Sequence, residues 1–321
     1  MNAALAAIAA RQGGVVMRAQ AREAGYPRDE IDFLVRRGEW ISLRRGAYVE
    51  RDLADSMSDE QRHRALVHAV VRSLRFPAVV SHVSAALIHG LPVWGLDLSE
   101  VHVSRRDLHA PRHEAGVHHH SGALRDEEVV TVAGIRVTNL ARTVIDTARI
   151  STFEAGVVVA DAAFARDDDG QRRALERLDT MRDWAGARQA GSVVEFADGR
   201  SESVGESRCR VCFREAGLPR PQLQYEVRNS GGGLIGRTDY HFEEFRTLGE
   251  FDGKGKYFRD LKPGDDPGDV VWREKKREDR LRELGFQVGR VVWAELDKPG
   301  LVGHRFRELF ERAGRRPARY H

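Results

Sequence analysis

Three acidic side chains lie in two neighbouring apolar, strand-like segments of the C-terminal third of the chain. Asp239 belongs to the first segment, and Glu250 and Asp252 belong to the second. Because Glu250 and Asp252 are two residues apart, their side chains leave the same face of an extended strand. A carboxylate among apolar neighbours such as Phe251 is costly to bury unless it is paired or binds a cation. Hard oxygen ligands suit Mg²⁺ or Mn²⁺, so the pattern predicts a divalent-metal site with Lys254 close behind it.

Seven predicted elements position these acids. In chain order they are a helix over 203–216, strands over 222–227, 234–242 and 247–252, a helix over 274–284, a strand over 286–293 and a helix over 302–313. This order predicts an α/β domain with a mixed sheet flanked by helices. The polar segment Asp198-Gly199-Arg200-Ser201 is the predicted boundary before it, so the domain spans 199–321.

The same order of elements and acids resembles the PD-(D/E)xK nuclease fold, and within it the branch similar to very-short-patch-repair endonucleases. In that branch a helix glutamate precedes a "vDf" strand, an "E-x-D-G" strand and a late basic-acidic helix. Their counterparts here are Glu206, "T-D-Y-H-F", "G-E-F-D-G-K" and "E-D-R-L-R-E-L-G-F-Q-V". The resemblance covers about 120 residues and implies a restriction-endonuclease-like fold with metal-dependent cleavage of DNA.

Hydrolysis of a phosphodiester requires a cation that polarises the phosphoryl oxygen and lowers the pKa of the attacking water. The resemblance implies that Asp239 and Glu250 hold this Mg²⁺ or Mn²⁺ ion. Glu206 would be either a third ligand or a residue that supports the ligands.

The lysine of the family pattern is displaced, because Asp252 occupies its expected place. Lys254, two residues further on, or Lys275, on the following helix, would take over its role beside the attacking water. The predicted catalytic set is therefore Glu206, Asp239, Glu250, Asp252, Lys254 and Lys275. Lys256 and Arg280 are predicted to contact phosphates of the DNA.

An alternative interpretation is an inactive relic of such a nuclease, in which the acids form ion pairs. Glu250 would then pair with Lys275, or Asp252 with Lys254. Both interpretations stay open from the residues alone.

The first fifty residues predict three short helices and a basic hairpin. The helices cover 3–11, 17–24 and a segment that Pro27 opens and Gly38 ends. Strands at 40–43 and 47–49 flank Arg44-Arg45-Gly46. This is the winged-helix arrangement, in which one helix enters the major groove and the hairpin contacts the phosphate backbone. The predicted DNA-binding arginines are Arg28, Arg36, Arg37, Arg44 and Arg45. The alternative is a small helical cap with a solvated arginine face.

This N-terminal domain, predicted over 1–52, resembles that of AbiEi-type antitoxins and regulators. The likeness rests on "V-V-M-R-A-Q-A-R-E-A-G-Y", "L-V-R-R-G-E-W" and "L-R-R-G-A-Y-V". Residues 53–198 are predicted to form an α+β connector, and "S-H-V-S-A-A-L-I-H-G-L-P" and "V-T-N-L-A-R-T-V-I-D" resemble the same family. Arg105, Arg106, Arg112 and Arg125 are consistent with a DNA- or protein-binding face there. The resemblance implies DNA and a cognate toxin protein as partners.

Histidine and cysteine patterns favour packing over metal binding. His118, His119 and His120 alternate faces on a strand, so they do not all ligate one metal. His82 and His89 are seven apart on one helix face, but no third ligand is evident from the sequence. Cys209 and Cys212 form half a zinc site at most, and are predicted to be buried helix cysteines.

Charge, cysteine content and hydropathy limit the functions that the sequence allows. The 321 residues are 31% charged, with 52 basic against 49 acidic residues and a net charge of +3, which alone does not establish nucleic-acid binding. Two unpaired cysteines fit a reducing, cytoplasmic location. No signal peptide and no membrane span are predicted. Two functions compete: a DNA-binding nuclease, and a non-enzymatic regulator or antitoxin whose C-terminal domain binds a partner.

Overall fold

A computed structural model describes residues 1–74, 76–253 and 267–314. The chain divides into two compact units, Met1–Ala197 and Asp198–His321. Both units mix helices and sheets, so the predicted mixture of α and β structure is confirmed at this level. The inner boundary at residue 52 stays a prediction. None of the described helices is long and apolar enough to cross a membrane.

The first unit begins with three helices and a small antiparallel sheet. In chain order these elements are α1 (Ala3–Ala10), β1 (Val16–Met17), α2 (Arg18–Glu23), α3 (Arg28–Arg36), β2 (Trp40–Arg44) and β3 (Ala47–Glu50). The strand order is β1-β3-β2. The helices and the hairpin follow the sequence prediction, whereas β1 was missed because two residues carry no alternation. Leu5, Ile31, Trp40 and Tyr48 are buried between the helices and the sheet.

The rest of the first unit is built around a six-stranded mixed sheet of order β6-β7-β5-β4-β9-β8. Its strands are β4 (Val79–Val80), β5 (Val101–Arg105), β6 (Arg112–Glu114), β7 (Val117–Ser121), β8 (Val129–Val132) and β9 (Ile135–Thr138). Its helices are α4 (Arg51–Ser56), α5 (Asp59–Ser73), α6 (His82–Ile88), α7 (Leu140–Ile150), α8 (Phe153–Phe164), α9 (Gly170–Asp179) and α10 (Ala187–Phe196).

An apolar cluster continues across residue 52. Ala47 and Val49 of β3 share it with Ala65 and Ala69 of α5, and all four side chains are fully buried. The small sheet and the first long helix of the following segment therefore bury one another.

Residues 171–196 do not form one continuous helix, because α9 ends at Asp179 and α10 begins at Ala187. Gly186 precedes α10 with a φ of +77°. A Cβ at this position would lie 2.2 Å from the carbonyl oxygen of Arg149. This close approach requires glycine, and a continuous helix would not provide it.

The second unit contains a four-stranded mixed sheet of order β10-β11-β12-β13. In chain order its elements are α11 (Val204–Glu215), β10 (Gln222–Arg228), β11 (Leu234–Phe242), β12 (Thr247–Asp252), α12 (Pro267–Glu283), β13 (Gln287–Val292) and α13 (Pro299–Gly314). The first three strands are antiparallel, and β12 and β13 are parallel across the α12 crossover. The predicted order of elements and the mixed sheet are therefore observed.

Two apolar clusters cover the two faces of this sheet. Phe213, Tyr240 and Phe306 belong to the larger one, and Leu248 and Leu281 belong to the smaller one. Opposite burial of Tyr240 and Leu248 follows from the alternation of side chains along paired strands. The acids Asp239 and Glu250 consequently point away from the larger cluster.

Candidate functional site

The exposed face of α3 combines arginines with one aromatic side chain. The side chain of Arg28 is 79% exposed and that of Arg37 is 61% exposed, and Arg36 is also exposed. Phe33 is 47% exposed, and the guanidinium of Arg37 lies 5.4 Å from its ring centroid. α3 also exposes Asp29 and Glu30, so its outer surface carries both signs of charge around the ring of Phe33. Phe33 was not among the predicted site residues.

Contacts on the inner side of α3 fix its orientation. Ile31 is fully buried, and Asp32 forms ion pairs with Arg18 and, at 3.8 Å, with Arg28. The hydrogen bond to Asp32 raises the pKa of the Arg18 guanidinium. Arg18 begins α2, so this pair holds the two helices together and leaves the opposite face of α3 free for a ligand.

The β2–β3 hairpin presents one of its two predicted arginines. Arg45 and Gly46 form the turn, with φ of +78° at Gly46, and Arg45 is exposed. Arg44 instead ends β2 and is half-buried, with its Nη1 atom lacking a hydrogen-bond partner among the described residues. Burial lowers the pKa of the Arg44 guanidinium. Arg45 is therefore better placed than Arg44 to reach a phosphate.

Glu250 of β12 lies between two guanidinium groups. Arg277 Nη2 donates a 2.6 Å hydrogen bond to Glu250 Oε1, and Arg290 Nε lies 3.7 Å from Oε2. The Glu250 side chain is 12% exposed. The predicted pairing of Glu250 with Lys275 involves a side chain outside the described residues and stays a prediction, whereas Arg277, two residues further along α12, pairs with Glu250 in the structure. The helix rotation that brings Arg277 to Glu250 is set by burial of Leu281 one turn later.

Asp239 and Glu206 are engaged at other points of the sheet. Asp239 Oδ2 accepts a 2.8 Å hydrogen bond from the backbone amide of Phe251. Glu206 is buried, and its carboxylate accepts hydrogen bonds from Ser203 Oγ at 2.8 Å and from Gln224 Nε2 at 2.8 Å. Ser203 in turn caps α11 by accepting from the Glu206 amide. Glu206 therefore stabilises the start of α11 and ties it to β10.

Close packing fixes the start of α11 against the sheet. A Cβ at Gly205 would lie 2.0 Å from the ring of Phe251, so glycine lets the helix approach β12. Tyr240 reinforces this contact by donating a 2.9 Å hydrogen bond to the Glu206 carbonyl.

The three predicted metal ligands do not converge in this arrangement. Within the described residues, ligand atoms of at least three His, Cys, Asp or Glu side chains lie within 4.8 Å of one another in two groups. These are His82, His102 and His120, and Glu100, His113 and His118. Neither group includes Glu206, Asp239 or Glu250, whose metal role stays a prediction.

The remaining predicted catalytic and phosphate-binding residues are distributed as follows. Asp252 ends β12 and is half-buried, and Arg280 is exposed on α12. Lys254 and Lys256 lie outside the described residues, as does the side chain of Lys275.

Cys209 and Cys212 are buried in α11 and form no disulfide among the described residues, which confirms the prediction of buried helix cysteines. Burial raises the pKa of the Cys209 thiol well above its ordinary value, so the thiol stays protonated and unreactive.

The histidine groups were missed by the sequence interpretation. It paired His82 with His89, but His89 Nε2 donates a 2.7 Å hydrogen bond to the Thr138 carbonyl. The spacing of His118 and His120 indicated that both lie on one face of a strand. In the structure that strand, β7, pairs with β5, which brings His102 next to them. The pairing of these strands is a long-range contact that spacing alone does not reveal.

Comparisons with known proteins identify the N-terminal segment. Residues 4–51 match the family model described as "Transcriptional regulator, AbiEi antitoxin". Two curated uncharacterized proteins of Mycobacterium tuberculosis, from strains CDC 1551 / Oshkosh and H37Rv, are each 27% identical over 183 residues. The match covers 57% of this chain and 64% of each relative, so the chain spans a little under two thirds of their length.

The matched segment contains α1 to α3 and the β2–β3 hairpin, including every arginine predicted to bind DNA in the first fifty residues. The N-terminal resemblance is therefore confirmed for this segment, and the match does not extend to the predicted nuclease-like domain. Residues 4–51 carry a domain of the AbiEi antitoxin type of transcriptional regulator.

Proposed function

We propose that this chain is a DNA-binding transcriptional regulator of the AbiEi antitoxin type, with residues 1–52 acting as a winged helix. The observation that carries the proposal is the match of residues 4–51 to the family model, a segment that also exposes Arg28, Arg36, Arg37 and Arg45. In this proposal α3 enters the major groove and the hairpin turn at Arg45 contacts the phosphate backbone. The protein acts in the cytoplasm, where it reaches DNA.

The side chains of α3 divide into two roles. Arg28, Arg36 and Arg37 supply sequence-independent contacts to phosphates, as does Arg45 from the hairpin. Phe33 supplies an apolar contact of the kind that recognises the methyl group of thymine. Specificity therefore rests on Phe33 more than on any one arginine.

Selection of bound duplexes from a random-sequence DNA pool tests this function. The full chain should enrich a defined motif, because a regulator distinguishes its operator from other DNA. Phe33→Ala should weaken the enrichment, whereas the matched control Ile150→Ala, which removes a side chain that is also 47% exposed, should leave it unchanged. Recovery of no motif by the wild-type chain would overturn the proposal.

The antitoxin part of the proposal implies a protein partner, the cognate toxin. Coexpression of the chain with the product of its neighbouring gene tests this part, with co-purification of the two proteins as the expected result. Separate elution of both proteins would reject the partner while leaving DNA binding to its own test.

A second candidate function is metal-dependent phosphodiester cleavage by the second unit. It is favoured by the α-β-β-β-α-β-α order and by Asp239 and Glu250 on adjacent strands after the helix that bears Glu206. Mg²⁺ or Mn²⁺ would supply polarisation of the phosphoryl oxygen. For metal binding, Glu250 would have to exchange its ion pair with Arg277 for the cation.

Incubation with supercoiled plasmid and Mn²⁺ separates this candidate from the regulator. The nuclease candidate requires cleavage by the wild-type chain that Glu250→Ala and Asp239→Ala abolish. If the wild type and both variants cleave the plasmid equally little, the nuclease candidate is rejected. That result would agree with a regulator in which these acids only stabilise the fold.

A further inference from the structure

Three histidines converge in the first unit, outside residues 4–51. His82, His102 and His120 each offer one ligand nitrogen, and these nitrogens lie within 4.8 Å of one another. His82 and His102 are buried, with 2% and 8% of their surface exposed, and His120 is half-buried. Three imidazoles at this spacing form a donor set for a transition-metal ion.

The strand register creates the group. β5 and β7 are parallel, with His102 opposite His118 and Ser104 opposite His120. Because side chains two apart share a face, His102, His118 and His120 project from one side of the sheet. His82 begins α6 with a φ of +53°, a backbone conformation that a non-glycine residue rarely adopts. This conformation brings its ring to 3.6 Å from that of His120, centroid to centroid.

His82 presents a ring nitrogen that is buried without a partner. Its Nδ1 lies 2.9 Å from Ser81 Oγ, whereas its Nε2 has no hydrogen-bond partner in the part of the chain that the structure describes. A buried polar atom in this state costs free energy, which coordination to a metal would recover. With Nδ1–H donated to Ser81, Nε2 carries the lone pair that a metal requires.

His102 and His120 lie near ligand spacing. His102 Nδ1 and His120 Nε2 lie 2.9 Å apart and share a hydrogen bond. A bound ion would replace the shared proton and separate the two nitrogens to the roughly 3.4 Å of a tetrahedral zinc site. Ser84 holds the His102 strand by accepting a 2.8 Å hydrogen bond from the His102 amide. His63 supports Ser84 in turn: its Nδ1–H donates to the Leu98 carbonyl, so its Nε2 accepts from Ser84 at 2.8 Å.

Two cations, Arg142 and Arg149, lie near this histidine group. Both arginines pair with Asp146, which limits their repulsion of a bound ion.

We propose that the first unit binds one Zn²⁺ ion, or a similar late first-row transition-metal ion, through His82, His102 and His120. The ion joins α6 to the β5–β7 pair and stabilises this unit. The outer group of Glu100, His113 and His118 forms a more exposed rim, in which His118 stacks on His120 at 3.8 Å. This site is independent of the proposed DNA binding, so each can fail without the other.

Titration of the chelator-treated full chain with Zn²⁺ by calorimetry, together with metal analysis after dialysis, tests the site. The wild-type chain should bind one Zn²⁺ with a rise in unfolding temperature. His82→Gln and His120→Gln should each weaken binding at least about 100-fold, since even residues that only support ligands contribute 10- to 100-fold. If one of these two variants does not fold, Zn²⁺ binding by the other still tests the site.

His119→Gln is the matched control, because His119 is buried on the same strand but packs on the other face against Phe76. It should bind Zn²⁺ as the wild type does, and so should His113→Gln in the rim. Absence of Zn²⁺ binding by the wild type would overturn the proposal. Unchanged binding by a folded His120→Gln variant would do the same, as would loss of binding in His113→Gln but not in His120→Gln.

Discussion

Arg277 donates a 2.6 Å hydrogen bond to the carboxylate of Glu250 within the second unit. The contact joins α12 to β12 at the place where the sequence predicted a metal ligand. A carboxylate that pairs with an arginine stabilises the fold without a metal, whereas a metal-binding carboxylate stabilises it only when the cation is bound. The two roles therefore differ in how substitution of Glu250 and addition of Mn²⁺ should change the free energy of unfolding.

We therefore expect Glu250→Gln to lower the unfolding free energy by about 1–3 kcal/mol, because a charge-assisted, mostly buried hydrogen bond is lost. Denaturant unfolding of the full chain measures this change. Glu226→Gln is the control, since its pair with Arg228 is about half exposed and should change stability by at most about 1 kcal/mol. If Mn²⁺ stabilised the wild type but not Glu250→Gln, Glu250 would instead be a metal ligand.

A buried charge network in the first unit predicts a larger effect. Arg142 Nε donates to Asp146 at 2.9 Å, and Arg142 Nη1 lies 3.0 Å from Glu128. Asp146 is fully buried and Arg142 is 3% exposed. Asp146→Ala should cost about 3–5 kcal/mol, because it leaves a buried guanidinium underpaired.

The comparison variant for this network is Glu176→Ala, which breaks the exposed Arg172–Glu176 pair at 2.7 Å. Its cost should stay within about 1 kcal/mol. Equal costs for the two substitutions, measured by chemical unfolding, would contradict the role assigned to burial.

His68 gives the first unit a pH-dependent stability. Burial, followed by the charges of Arg72 and Arg64, lowers the pKa of His68 to about 4. Arg72 Nη1 donates to His68 Nδ1 at 3.1 Å, so this nitrogen accepts and the ring is neutral. Since the unfolded chain has a histidine pKa of about 6.5, it binds protons first as the pH falls.

The contribution of His68 is therefore fully present above pH 6.5 and is lost as the pH falls towards 4. Its size is about 3 kcal/mol, from about 2.5 pH units between the two pKa values. The measurement is the difference in unfolding free energy between the wild type and His68→Gln from pH 7 to pH 4, with a chelator present. A difference that does not vary with pH would show that His68 titrates normally in the folded chain.

The sequence predicted local structure well and side-chain partnerships poorly. The strands Leu234–Phe242 and Thr247–Asp252 have the predicted bounds, because alternation and turn residues specify them locally. The convergence of His82 with His120 depends on strand pairing and on an unusual φ, which local patterns do not encode. The ion pair of Glu250 with Arg277 depends likewise on the rotation of α12 about its buried side.

Arg44 is a second residue whose surroundings the sequence did not predict, although the helices and hairpin around it were predicted correctly. Its position beside Arg45 in the hairpin follows from the sequence, but its burial follows from packing around β2. Phe33 was not predicted as a site residue, although its place two residues after the buried Ile31 puts its ring on the outer side of α3.

The salt dependence of DNA binding tests whether α3 and the hairpin turn contact the phosphate backbone. Fluorescence anisotropy with a random-sequence duplex would compare the wild type with the triple variant Arg36→Ala, Arg37→Ala and Arg45→Ala. A triple control, Arg172→Ala, Arg182→Ala and Arg188→Ala, removes three exposed arginines elsewhere in the first unit.

We expect the slope of log affinity against log salt concentration to become less negative by about 2–3 in the α3 and hairpin variant, since each lost phosphate contact contributes about 0.9. The control variant should keep the wild-type slope. The same slope for the wild type and both variants, or no binding by the wild type, would contradict the account.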